Sequence, residues 1–295
     1  MKYVVIILLI ALVGAGFIYR NDIGTTLLSS ENKKEKKKDK DKKAGKKEAA
    51  STAVKVLQQW QLPDRLKEIS GLSYLDNDRF ACVQDEEGVL FVYNVKNGQI
   101  EKEIPFAGAG DYEGITIAGN NAYIVRSDGV LFEISNWNTK PSTKQYKTAL
   151  TEEHNVEALV YDRTGNRLLL GIKDDEPSTK DYKGVYAFDL ASKTFAKDPV
   201  YKIDMNNNDP GGGKKKKGFK PSAIAVHPST NELFVVDGPS SKLMVMGRDG
   251  SIKQVLNLGG SFEQPEGISF SPEGDIYISN EGVSKQGNIM KVSIQ

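Results

Sequence analysis

From residue 54 to the end of the chain, apolar residues occur in short runs. These runs are rich in β-branched and aromatic residues, and Gly, Asn, Asp or Pro separate them. Short apolar runs bounded by turn-forming residues are typical of β-strands, whereas helices show apolar positions three and four residues apart. Because no segment shows the helical spacing, the pattern predicts an all-β fold.

The runs also repeat with a longer period. Each repeat opens with a polar residue, a small residue and an aliphatic one, and the polar positions are Glu68, Glu113, Glu157, Ser222 and Glu266. The steps between them are 45, 44, 65 and 44 residues. Four strands in about 44 residues are typical of one β-propeller blade. The sequence therefore predicts a five-bladed β-propeller, in which packing requires the aliphatic residue and tolerates the small one.

The last repeat ends at Gln295 after its third strand. Residues 53–62 (AVKVLQQWQL) resemble the fourth strands of the other repeats. We expect this segment to pair into the last blade, because ring closure removes exposed sheet edges. The propeller is thus predicted over 53–295, with two longer loops at 174–183 and 206–220 accounting for the 65-residue step.

The first twenty residues predict a membrane anchor or export signal. Lys2 precedes an uncharged run from Tyr3 to Ile18, and Tyr19 and Arg20 close it. The length and the flanking residues favour an uncleaved transmembrane anchor over 1–20. Cleavage followed by secretion is the alternative.

Residues 21–52 predict a Lys-rich disordered linker. Its segment 31–51 holds ten lysines and five acidic residues, with no aromatic residue. Such a stretch cannot bury enough apolar surface to fold, so we interpret it as a spacer, with contact to anionic lipid or nucleic acid as the alternative. Beyond residue 50 the chain carries 28 basic and 33 acidic residues, so nucleic acid is not an expected partner of the folded part.

In a propeller the first strand of each blade lines the central channel, and it starts on the face where the second strand ends. Acidic residues at these two places should therefore converge. The candidate metal ligands are Glu68, Glu113, Glu157, Asp237 and Glu266. Further polar residues at the second-strand ends are Gln84, Asp85, Glu86, Arg126, Asp128, Lys173, Asp174, Asn280 and Glu281.

Carboxylates that point at one axis repel one another unless something neutralises them. Ca²⁺ suits a wide, oxygen-rich site. Arg126 and Lys173 could instead pair with the glutamates, or a ligand could supply a cationic group. A purely structural role, in which each glutamate caps backbone amides, is the alternative to all three.

The remaining chemistry in the sequence is sparse. His154 lies in the loop before Glu157 and is a candidate for a polar ligand contact. His227 precedes a proline turn, so we expect a structural role for it. Two histidines and one cysteine do not favour zinc. Cys82 lies in an apolar strand pattern, which indicates a buried thiol. The sequence contains no nucleophile elbow, P-loop or dinucleotide-binding motif.

Several segments resemble the SdiA-regulated family of bacterial β-propellers, whose sequence pattern is similar to that of NHL-repeat propellers. The segments are EISGL at 68–72 followed by QDE at 84–86, GDYEGI at 110–115, and QPEGISF at 264–270. The resemblance covers residue 54 to the end. It implies the propeller fold and a bacterial cell-membrane location, with the propeller on the extracytoplasmic side. It implies no activity.

More distant propeller families indicate which catalytic functions an acidic channel could have. Gluconolactonase and paraoxonase relatives hold a channel Ca²⁺ with a strand-head glutamate, and β-propeller phytases use several Ca²⁺ ions. This chain differs by its five blades and by Arg126 and Lys173 beside the acidic positions. We therefore expect a monomeric, membrane-tethered extracytoplasmic module that binds a small ligand or a protein or acts as a scaffold, with Ca²⁺ or a polar ligand at the channel mouth. The alternative is a Ca²⁺-dependent hydrolase of lactones, esters or phosphoesters.

Overall fold

A computed structural model describes residues 54–205 and 218–295. The described residues form 21 β-strands, together with one short 3₁₀ helix at Asp64–Leu66. The strands make five antiparallel sheets. The all-β, five-bladed prediction is confirmed.

In blades one, two and four, the four strands follow one another in chain order from the channel outward. Blade one consists of β2 (Ile69–Asp76), β3 (Arg79–Gln84), β4 (Glu87–Asn94) and β5 (Gln99–Ala109). Blade two consists of β6 (Tyr112–Ala118), β7 (Asn121–Arg126), β8 (Leu131–Ser135) and β9 (Ser142–Tyr146). Blade four consists of β15 (Pro221–Val226), β16 (Leu233–Asp237), β17 (Lys242–Met246) and β18 (Ile252–Asn257).

Blade three departs from this regular order. It contains β10 (Val156–Asp162), β11 (Arg167–Ile172) and β12 (Tyr182–Asp189). Two short strands, β13 (Thr194–Phe195) and β14 (Tyr201–Asp204), share the fourth position, because both pair with β12. One of the two predicted long loops lies between β11 and β12, and residues 206–217 of the other lie outside the described residues.

Blade five is completed by the other end of the described chain. It contains β19 (Pro265–Phe270), β20 (Ile276–Asn280) and β21 (Asn288–Ile294), and β1 (Val54–Gln61) is its outer strand. β1 runs antiparallel to β21, with Val54 opposite Ile294 and Gln61 opposite Asn288. This pairing is the predicted ring closure.

The apolar core lies between neighbouring blades. Between blades one and two, for example, Phe106, Tyr112 and Phe132 pack edge to face, with ring centroids 5.0 to 5.5 Å apart. Aromatic rings in this arrangement stabilise one another beyond the apolar area they bury.

The inner strands approach one another so closely that the small residue of the repeated motif is required. A Cβ added at Gly114 would lie 2.7 Å from the Cβ of Leu159, and one at Gly71 would lie 3.0 Å from the carbonyl oxygen of Glu113. Both separations are shorter than normal carbon contacts. The expectation that packing merely tolerates the small residue is therefore wrong.

The aliphatic residue of each motif lines the narrow middle of the channel. Only about 10 Å³ is open there. The five residues are Leu72, Ile115, Leu159, Ile224 and Ile268, all buried. This apolar constriction separates the two ends of the channel.

The predicted anchor over 1–20 and the linker over 21–52 lie outside the described residues. Within the described ranges, no helix has the length and apolar character needed to cross a membrane.

Replacing Gly114 with alanine is expected to destabilise the propeller, because the new methyl group would overlap Leu159. Overpacking of this kind costs about 1–3 kcal/mol. Gly108→Ala is the matched control, since a Cβ there meets nothing within 4 Å. Chemical unfolding of the full chain measures both variants. Equal stability of the two would contradict the close approach.

Candidate functional site

A β-bulge marks the head of every inner strand. At each bulge one residue of the inner strand has no opposite residue on the second strand. The bulged residues are Ser70, Glu113, Glu157, Ser222 and Glu266. Glu68 lies two residues before the bulge of blade one. The predicted alignment of Glu68 with the other glutamates is therefore wrong, and Ser70 is the equivalent residue. Three glutamates and two serines occupy the equivalent positions.

The two serines at the bulges connect neighbouring blades. The Ser70 hydroxyl donates a hydrogen bond to the carbonyl oxygen of Tyr112 at 2.5 Å. The Ser222 hydroxyl donates to the carbonyl oxygen of Pro265 at 2.9 Å. Because each bond joins one blade to the next, the serines hold the blades together.

The bulged glutamates line a cavity of about 260 Å³ at this end of the channel. We call it the acidic mouth. Among the residues that the structure describes, its lining contains six carboxyl groups and a single basic residue, Lys173. The lining residues are Glu68, Ser70, Asp85, Glu113, Glu157, Lys173, Gln264, Glu266 and Glu281.

Lys173 and Glu157 form the central contact of the acidic mouth. The Lys173 ammonium lies 2.6 Å from Oε1 of Glu157, and the Asn155 side-chain amide donates to the same oxygen at 3.1 Å. Glu157 is only 3% exposed, and its second oxygen, Oε2, has no hydrogen-bond partner among the described residues. A buried carboxylate oxygen without a partner is costly, so this atom is poised to accept a bond.

Burial and mutual repulsion raise the pKa of the three bulged glutamates. Burial raises the pKa of Glu113 to about 10, reinforced by the charge of Glu157 and by a hydrogen bond with Asp111. Burial also raises the pKa of Glu157 to about 8 and that of Glu266 to about 7, although the Lys173 charge opposes both shifts. Without a further cation, protons therefore remain on these carboxyls near neutral pH.

Two more acids share this environment. Burial, followed by the charges of Glu68 and Glu281, raises the pKa of Asp85 to about 6. The pKa of Glu281 is raised by burial and by Glu68. Burial lowers the pKa of Lys173, but the surrounding glutamates, Glu157 first among them, outweigh burial and raise it. Lys173 therefore stays charged.

Arg126 does not line the acidic mouth. Its guanidinium pairs with Asp128, with Nε–Oδ1 and Nη2–Oδ2 distances of 3.0 and 2.7 Å. It also lies over the ring of Phe132. The structure thus brings only one of the two predicted basic residues to the glutamates.

His154 and Asp237 also lie away from the acidic mouth. Nδ1 of His154 accepts the backbone N–H of Thr151 at 3.1 Å, and its Nε2 lies 4.0 Å from Glu176. Asp237 is 1% exposed and accepts the backbone N–H of Ser240 at 2.9 Å, so it caps a turn. The predicted metal ligands that meet around the acidic mouth are Glu68, Glu113, Glu157 and Glu266.

Two polar residues of the site were not predicted from the sequence. Gln264 lines the cavity and donates its side-chain amide to Glu281, and Asn155 orients Glu157. Both precede a bulged glutamate by two residues, so their spacing is the signal that could have identified them. In the described part of the chain, no group of three or more His, Cys, Asp or Glu side chains has the geometry to hold a metal ion.

The fold and this channel site define a five-bladed β-propeller with an acidic axial cavity. The chain belongs to the SdiA-regulated family, whose model matches residues 49–283. No curated protein matches the chain.

Solved structures share the fold at low sequence identity. Glutaminyl cyclase from Myxococcus xanthus is 11% identical, with a TM-score of 0.59 over 81% of this chain and 95% of that one. A protein of unknown function from Bacteroides thetaiotaomicron is 12% identical, with a TM-score of 0.50 over 81% of this chain and 76% of that one. Identities this low relate the folds and not the activities.

The raised carboxyl pKa values predict that stability falls with rising pH. The folded state binds more protons than the unfolded chain between the ordinary glutamate pKa of 4.5 and the raised values of about 7, 8 and 10. Stability is therefore greatest below that window and is lost as pH rises through it. Melting temperatures of the full chain between about pH 5 and about pH 9 measure the loss.

Glu113→Gln should flatten this pH dependence, because a neutral amide replaces the carboxyl that is hardest to ionise. Glu153→Gln, at an exposed position outside the cavity, is the matched control. An unchanged slope in Glu113→Gln would show that Glu113 titrates normally.

Proposed function

We propose that the protein is a membrane-tethered, extracytoplasmic binding or scaffold propeller whose ligand places a cationic group in the acidic mouth. The proposal rests on a single observation, which concerns the oxygen Oε2 of Glu157. It is a buried carboxylate oxygen without a partner among the described residues, in a cavity whose described lining sets six acids against one lysine. A bound cation would satisfy that oxygen and replace the protons that the cavity otherwise retains.

An organic cation fits the acidic mouth better than a metal ion does. Lys173 already places an ammonium group against Glu157. Oε2 of Glu157 is covered in the structure, so a second ammonium or a guanidinium group would bond to it after a small rotation of the Glu157 carboxyl group, without displacing Lys173. Ca²⁺ would need six to eight oxygen ligands, and the lysine occupies part of that space. The favoured ligand class is therefore a small molecule or peptide group that carries an amine or guanidine, with Ca²⁺ as the second candidate.

The geometry adds no support for the hydrolase alternative. The described residues that line the acidic mouth include no histidine. Lys173 and Asn155 both engage the same oxygen of Glu157, which orients that carboxyl for binding.

The proposed tether rests on the charge and hydropathy pattern of residues 1–20. We expect the full chain to remain with the membrane after an alkaline wash and to be digested by a protease added outside the cytoplasm. Release into the wash, or protection from that protease, would contradict the tether or its orientation.

Calorimetric titration of the full chain with butylammonium and with CaCl₂ tests the cation site. We expect butylammonium to bind with proton release near neutral pH, because a cation lowers the pKa of the carboxyls around it. Glu157→Gln should weaken binding on the order of tenfold, since it removes the charge of the central carboxylate.

Neutral butanol controls for the apolar part of the probe, and Glu153→Gln controls for a distant carboxylate. Binding of CaCl₂ but not of butylammonium would identify the second candidate. The proposal would fail if neither cation binds, or if Glu157→Gln binds as well as the unaltered chain.

A further inference from the structure

The channel has a second mouth on the opposite face of the propeller, where the inner strands end. Its cavity has a volume of about 500 Å³, which is within the range of small-molecule sites. The apolar constriction forms its floor, since Leu72, Ile115, Leu159, Ile224 and Ile268 also line this cavity. The two mouths are therefore separate compartments.

Half-buried aromatic side chains line the second mouth, namely Tyr74, Tyr161 and Phe270. Neighbouring rings hold two of them in place. The centroid of Phe270 lies 4.9 Å from that of His227, and the centroid of Tyr74 lies 5.6 Å from that of Tyr277. Aromatic walls fixed in this way offer apolar contact area at little entropic cost.

The polar groups of the second mouth include two hydrogen-bond donors. Arg163 is exposed and has no ion-pair partner among the residues that the structure describes. Nδ1 of His227 accepts the backbone N–H groups of Ser229 and Thr230, both at 3.2 Å. The imidazole therefore carries its hydrogen on Nε2, which is a donor.

No acidic side chain is among the described residues that line the second mouth, and Arg163 is the formally charged one. This composition is opposite to that of the acidic mouth, where carboxyl groups dominate. A cavity with apolar walls, a cationic guanidinium and an imidazole N–H donor matches a molecule with an apolar ring and an anionic end.

We infer that the second mouth is a binding site for a small aromatic or apolar carboxylate. The apolar body would lie against Tyr74, Tyr161 and Phe270, and the carboxylate would accept hydrogen bonds from Arg163. This site does not depend on the cation site, because the constriction separates the two.

Ligand-observed NMR on the full chain tests the site with indoleacetate and its neutral isostere indoleacetamide. Saturation-transfer titrations should show saturable binding of both probes, tighter for indoleacetate. Arg163→Glu should weaken indoleacetate on the order of tenfold and leave indoleacetamide nearly unchanged. Tyr161→Ser should weaken both probes, because it removes apolar wall area.

Lys197→Glu makes the same charge change at an exposed lysine outside the cavity, and it should alter neither titration. CaCl₂ or butylammonium at the acidic mouth should not displace either probe. The inference is overturned if neither probe binds saturably. It is equally overturned if Arg163→Glu and Lys197→Glu weaken indoleacetate alike, or if Tyr161→Ser binds both probes as the unaltered chain does.

Discussion

The close approach of the five inner strands is the constraint on which the rest of the structure depends. At Gly114 and Gly71 the neighbouring strand leaves no room for a Cβ. The same narrow axis forces the next residue of each strand into the apolar constriction, and it brings the preceding bulged residues together. Packing at the axis thus brings like-charged carboxyl groups close together in the acidic mouth, where they repel one another.

Lys173 neutralises the negative charge of the acidic mouth only in part. Its ammonium stabilises one oxygen of Glu157, and it opposes the upward pKa shifts of Glu157 and Glu266. The remaining charge is removed by protons, at a cost in stability as pH rises. A binding partner with a positive charge would take the place of those protons, which links the fold of the channel to its proposed role.

Much of the fold could be predicted from the sequence because each blade repeats the same pattern of strands and turns. The 44-residue steps and the resemblance of 53–62 to a fourth strand led to five blades and to ring closure. The candidate site was harder to predict, because a β-bulge changes which side of a strand a residue faces. Glu68 matches the motif in sequence, but Ser70 occupies the bulge. Arg126 pairs opposite Tyr112, whereas Lys173 lies one residue beyond the corresponding pair and faces the cavity.

The pKa values of Glu113, Glu157 and Glu266 are the most direct test of this account. They can be measured by carboxyl ¹³C NMR on full chain labelled at its glutamate side chains, with single Glu→Gln variants to assign the signals. The account predicts three carboxyl signals that titrate far above the ordinary glutamate pKa of 4.5 and that move to lower pH when butylammonium is added. Three signals that titrate near 4.5 and do not respond to the cation would contradict it.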